Sequence, residues 1–164
     1  MENFIYSIPT TIYFGKGQIE HVSQAVRPYG KKALIVYGGG SVKKNGIFDR
    51  VTEILEHEGI AWEELGGVEP NPRIETVRKG AELCKAGNIE VVLPIGGGST
   101  IDCAKIIAAG ALYDGDAWDL VLDGKKIQAA LPIVAVLTLA ATGSEMDTAA
   151  VISDMASNNK LGTK

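Results

Sequence analysis

Twice in this sequence a strand-like apolar run ends in three glycines and a serine. Ala33–Tyr37 runs into Gly38-Gly39-Gly40-Ser41, and Glu90–Ile95 runs into Gly96-Gly97-Gly98-Ser99. An apolar run without alternation fits a strand covered on both faces, as in a parallel sheet. Glycines directly after it permit a tight turn into a helix and let backbone N–H groups approach a ligand closely. The rest of the chain repeats the theme. Ile19, Val22 and Val26 fall at helical spacing within Gly17–Arg27, and Ile47, Val51, Ile54 and Leu55 form a stripe that ends near Gly59. A strand is predicted near Ala61–Leu65. Asn71-Pro72 then has the residue types of an N-cap and first helical position, ahead of a stripe through Ile74, Val77, Ala81 and Cys84 to Gly87. Ile101–Leu112 is apolar almost all round and predicts a buried helix; one helical turn is expected near Trp118, and a fourth strand at Ile133–Leu137.

Strands near 33, 61, 91 and 133 that alternate with helices give the α/β class, a Rossmann-like doubly wound parallel sheet. Two flanking hairpins are expected. One is N-terminal, Asn3–Phe14 about Pro9-Thr10, and one is at the tail, Val151–Asp154 and Lys160 onward about the turn Met155–Asn159.

At 164 residues the chain predicts one domain, with a core that needs no staples. Its net charge of −4 removes the phosphate attraction on which nucleic-acid binders rely. Glycine is over-represented, 20 of 164 residues or about 12%, against a usual share near 7%. Cys84 and Cys103 form no CxxC pair and read as two small buried thiols of a cytoplasmic protein. The N-terminus lacks the basic and apolar regions of a signal peptide, and the uncharged stretch Ile127–Ser144 is broken by Pro132, so no membrane association is expected. His21 and His57 stand far apart and alone, and Ala61 rules out an HExxH reading at His57.

Neither glycine turn is G-x-G-x-x-G, since Lys43 and Ile101 occupy the last glycine position, and neither is a P-loop. In an open α/β sheet both turns fall where ligands bind, at the carboxyl ends of strands. Ser99 and Asp102 also have the spacing of a capping box, which needs no ligand. For Asp102 and Lys105 a purely structural role is about as good an account. Thr138-Leu-Ala-Ala-Thr142-Gly143-Ser144-Glu145 either lines a ligand groove or forms a loop with hydroxyl turns.

Taken together, ALIVYGGGSVKKNG from Ala33, Pro70-Asn71-Pro72, GGGSTIDCAK from Gly96 and LTLAATGSE from Leu137 resemble the iron-containing (group III) alcohol dehydrogenases. Within them the similarity points to the NAD(P)H-dependent butanol dehydrogenase branch, and it covers the whole chain. The resemblance implies a dehydroquinate-synthase-like dinucleotide-binding domain over residues 1–164. An all-helical domain with a divalent metal, iron or zinc, held by one Asp and three His would follow it. This sequence stops before that part, so no catalytic or metal-ligating residue carries over.

Cofactor contacts implied by the matching motifs are Gly38, Gly39 and Ser41 at the adenosine ribose, and Asn71 beside adenine. Gly97, Gly98 and Ser99 would cradle the pyrophosphate, with Asp102 toward the nicotinamide. Thr138, Leu139, Thr142 and Ser144 would line the second half of the groove, and Lys160 would reach a ribose. NAD-preferring members carry an Asp after the first strand; Gly38 and Gly39 stand there instead, which favours NADP, with NAD possible and Lys43 or Lys44 as phosphate partners.

The implied activity is interconversion of primary alcohols such as butanol and their aldehydes, in a full enzyme that is a cytoplasmic homodimer. The isolated chain is expected to be inactive. Two rivals remain: a relative of glycerol dehydrogenase or dehydroquinate synthase, and a non-catalytic nucleotide-binding module.

Overall fold

The computed structural model describes residues 8–163. After a 3₁₀ turn at Gln18–His21 and helix α1 (Val22–Val26), the chain enters β1 (Lys32–Tyr37). Two helices follow, α2 (Ser41–Lys44) and α3 (Ile47–His57), and then β2 (Ala61–Leu65), α4 (Ile74–Gly87) and β3 (Val91–Gly96). Helices α5 (Gly98–Gly110) and α6 (Ala117–Leu122) lead to β4 (Val136–Leu137), and β5 (Ala150–Asp154) pairs antiparallel with β6 (Asn159–Thr163).

The sheet is parallel, in the order β2-β1-β3-β4. The apolar run of β1 has the reason predicted for it, because its side chains alternate between two cores. Leu34 and Val36 pack with α4 and α5, while Ala33, Ile35 and Tyr37 pack with α1 and α3. Helix α5 is buried nearly all round, as its composition requires. It lies close against α4: a Cβ on Gly80 would come within 2.7 Å of Ile107 Cγ1, and one on Gly110 within 3.2 Å of Ala81 Cβ. The β5–β6 hairpin seals the same side. Ile152 is fully buried in that core, Ser153 N–H donates to Pro72 O (2.9 Å), and the Thr163 hydroxyl donates to Leu120 O (3.1 Å).

Three expectations are corrected. Asn71 is not an N-cap: it sits at φ 61, and α4 starts at Ile74 behind Arg73. The physical reason is the β5 strand, which holds Arg73 in a bridge with Ser153 and keeps this segment extended. Ser99 and Asp102 form no capping box, because Gly97 is the cap residue, Ser99 already lies inside α5, and the Asp102 carboxylate turns to other partners. The fourth strand is cut to Val136–Leu137, with Ile133 making only an isolated bridge to Val92. As for the N-terminal hairpin, Asn3–Ser7 lies outside the described residues, and 8–14 carry no strand among the described residues.

Both thiols are buried, and desolvation pushes each up to about 12. At neutral pH almost no thiolate is present to react. A disulfide-exchange reagent is therefore expected to label Cys84 and Cys103 only as fast as the chain opens, and at full speed in denaturant. Rapid labelling under native conditions would contradict this packing.

Candidate functional site

Because β1, β2, β3 and β4 are parallel, the segments that leave their carboxyl ends gather at one edge of the sheet. The first turn, Gly38 to Ser41, is pinned by the segment leaving β2. Gly67 N–H donates to Gly38 O and Val68 N–H to Tyr37 O, both at 3.1 Å. Gly38 has little room, with Val68 O at 3.3 Å from where a Cβ would stand, whereas around Gly39 and Gly40 the space is open. Gly40 is at φ 93, a conformation that favours glycine. Ser41 heads α2 and is exposed.

Beside this turn the side chains of β1, α2 and β2 meet. Lys43 Nζ donates to Glu64 Oε2 (2.7 Å), and the same oxygen accepts from Tyr37 OH (3.1 Å). The ammonium also lies 4.4 Å from the Phe48 ring centre and 4.9 Å from that of Tyr37. Gly66 lets the Tyr37 ring pass, since a Cβ there would come within 2.6 Å of it. The hydrogen bond from Lys43 holds the Glu64 carboxyl below the usual range, and Glu64 in turn raises Lys43.

The second turn begins α5. Thr100 and Ile101 N–H both return to Gly97 O, at 3.1 and 3.2 Å. The opening N–H groups of a helix have no acceptor within it and, with the helix dipole, favour a negative group in front of them. A Cβ on Gly98 would stand 3.3 Å from Thr142 Oγ1, and one on Gly97 3.8 Å from Leu139 Cβ. The loop after β4 thus lies directly against this helix end. Thr138 N–H fixes it by donating to Gly96 O (3.0 Å), and Leu139 is left two-thirds exposed at 67%.

Further along α5, Asp102 and Lys105 anchor the same loop. The Ser144 hydroxyl donates to Asp102 Oδ1 (2.5 Å), and Val151 N–H donates to Asp102 Oδ2 (3.0 Å). Lys105 Nζ donates to Ser144 Oγ (3.0 Å), Asp147 Oδ1 (2.9 Å) and Ala149 O (2.6 Å), with its side chain only 12% exposed. Lys105 holds the Asp147 carboxyl below its usual range. At the far side, Lys160 Nζ on β6 donates to Asn71 Oδ1 (2.5 Å) across 89 positions of sequence.

Gly97, Gly98, Ser99, Asp102, Thr138, Leu139, Thr142 and Ser144 are thus assembled as one group. Gly38, Gly39 and Ser41 lie at the neighbouring strand end, and Asn71 with Lys160 forms a separate polar pair. Sequence reasoning singled out Lys43 but missed its contacts with Tyr37 and Glu64, for which only the aromatic at the end of β1 gave a signal. It also missed Asp147 and Ala149 as acceptors for Lys105; the one lysine in an otherwise apolar helix was the clue. Among the described residues no three His, Cys, Asp or Glu side chains are placed to hold a metal, and no helix is long and apolar enough to cross a membrane.

The model of the family "Iron-containing alcohol dehydrogenase" matches residues 9–164. The chain is 60% identical over 162 residues to NADH-dependent butanol dehydrogenase A of Clostridium acetobutylicum, covering 99% of this chain and 42% of that protein. It is 43% identical to the NADPH-dependent aldehyde reductase YqhD of Escherichia coli, covering 98% of this chain and 41% of that one. Among solved structures, NADH-dependent butanol dehydrogenase A from Thermotoga maritima superimposes with a TM-score of 0.95 at 46% identity, over all of this chain and 42% of that one. The chain therefore spans about two-fifths of the length of these relatives.

Proposed function

The chain belongs to the iron-containing alcohol dehydrogenase family, and on that premise we propose that residues 1–164 are its dinucleotide-binding domain. The whole enzyme would interconvert primary alcohols such as butanol and their aldehydes, as a cytoplasmic homodimer. The observation that carries the reading is the start of α5. There Gly98 packs against the loop after β4, with Thr142 Oγ1 at 3.3 Å and Ser144 Cβ at 3.9 Å from where its Cβ would stand, at the carboxyl edge of a parallel sheet.

A dinucleotide fits the residues present. The N–H groups at Gly97, Gly98 and Ser99 would hold the pyrophosphate. The open turn at Gly38, Gly39 and Ser41 would take the adenosine ribose, Asn71 would stand beside the adenine, and Lys160 would reach a ribose. Thr138, Leu139, Thr142 and Ser144 would line the nicotinamide half, with Asp102 fixing Ser144 in place. When bound, the nicotinamide supplies a hydride acceptor at its C4. A metal does not fit the described residues, which offer no ligand cluster and so supply no site for polarising an alcohol oxygen.

The finer choice of cofactor is NADP, with NAD also accepted. Gly38 and Gly39 place no carboxylate where it would repel a 2′-phosphate, and Lys43 and Lys44 lie on the helix that follows. Calorimetric titration of the purified chain with NADPH, NADP and NAD, with AMP as control, tests the domain. Saturable dinucleotide binding is expected. A folded chain that binds none of them would favour the non-catalytic module instead. The same preparation is expected to show no alcohol-dependent reduction of nicotinamide when supplied with iron or zinc; metal-dependent turnover would refute the inactivity.

A further inference from the structure

In dinucleotide-binding α/β folds an acidic side chain near a strand end bonds the adenosine ribose hydroxyl, so the strand end beside the turn proposed to take that ribose is where such a group would act. Here β2 is that neighbouring strand, and Glu64 is its penultimate residue. Yet Glu64 is not alone: Lys43, from the helix that follows the turn, is bonded to it at 2.7 Å. We infer that Lys43 and Glu64 act together as the specificity device at the adenosine ribose, the pair deciding between a 2′-hydroxyl and a 2′-phosphate. The inference rests on the dinucleotide reading above.

The geometry gives each member a defined job. The Glu64 carboxylate accepts from Lys43 and from Tyr37 OH on one oxygen, which leaves its other oxygen for a ribose hydroxyl. The Lys43 ammonium uses one of its three donors on Glu64 and keeps the others for a phosphate oxygen. Its position is not that of a freely waving surface lysine, because it is held over the Tyr37 and Phe48 rings. Paired, the two charges cancel, so the ribose edge neither repels a 2′-phosphate nor strongly demands one. The chain accordingly takes NADP and still accepts NAD. Neutralising Glu64 leaves an unopposed cation, and neutralising Lys43 leaves an unopposed anion.

The test compares the wild-type chain with Glu64→Gln and Lys43→Met, with Lys44→Met as a neighbouring-charge control. Each is titrated with NAD, NADP, 5′-AMP and 2′,5′-ADP. Both members of the pair have side chains 41% exposed, so neither substitution leaves a buried orphan. In the wild type NADP is expected to bind a few-fold more tightly than NAD. Glu64→Gln should move their ratio on the order of tenfold toward NADP, and Lys43→Met on the order of tenfold toward NAD, the scale of one charge beside a phosphate in partly hydrated surroundings. The 2′,5′-ADP to 5′-AMP ratio should move in parallel.

A strong wild-type preference for either dinucleotide, or an unchanged ratio in both variants while nucleotides still bind, overturns the pair as the device. So does a shift carried by Lys44→Met alone. If the folded wild-type chain binds no nucleotide, the dinucleotide reading itself falls and takes this inference with it.

Discussion

Asp102→Ala is expected to destabilise the chain by about 2 kcal/mol, the scale for leaving partly buried donors without their acceptor, and to weaken dinucleotide binding at least tenfold. Asp102 receives both the Ser144 hydroxyl and the Val151 N–H, so one carboxylate fixes two points of the segment that would close the proposed groove. Without it Ser144 retains only Lys105, and the start of β5 loses its tie to α5. Denaturant midpoints and calorimetric titration of the variant measure the two effects. Ser144→Ala, which removes one of those ties, should be milder on both scales. If Asp102→Ala lost stability but bound dinucleotide as the wild type does, the network would be a structural anchor and not part of the groove.

The second large effect is expected at Gly80. Here α4 and α5 cross so closely that any side chain on Gly80 would run into Ile107 and approach Leu65 Cδ2 within 2.9 Å. Both neighbours belong to the core beneath the sheet, and Ile107 is fully buried. Gly80→Val should therefore cost about 3 kcal/mol, at the upper end for overpacking a tight core. Gly80→Ala sets a helix-propensity gain of up to about 1 kcal/mol against a smaller clash.

Ile107→Ala should cost about 3 kcal/mol by itself through its cavity. In the Gly80→Val background it should cost much less, because the valine fills part of the space that the isoleucine leaves. A double-mutant cycle reads that coupling directly. Additive costs would show that the two helices adjust their separation freely.

The four parallel strands, their helices and the tail hairpin could be read from the sequence because the apolar runs report two-sided burial and the glycines mark where each run stops. What failed were features set by distant parts of the chain. Asn71 and Pro72 have the residue types of a helix start, but the β5 strand draws Arg73 into a bridge and delays the helix. Ser99 and Asp102 have capping-box spacing, yet Val151 and Ser144 offer Asp102 better-placed donors. The glycine turns of the site were legible for the same reason as the strands. The Lys43–Glu64 contact was not, since it depends on which strand lies beside β1, and strand order is not written in periodicity.

That strand order also governs how the chain emerges during synthesis. The central strand β1 is complete at Tyr37, but its two neighbours are β2, which ends at Leu65, and β3, which ends at Gly96. Until both have left the ribosome, Leu34, Ile35 and Val36 have an apolar surface but an unfinished ladder and only part of their covering helices. Pairing between segments so far apart is slow, and the waiting intermediate is the form most exposed to aggregation. Between Leu65 and Gly96 the emerging chain thus carries β1 with one edge still unpaired, a surface open to aggregation until β3 is complete.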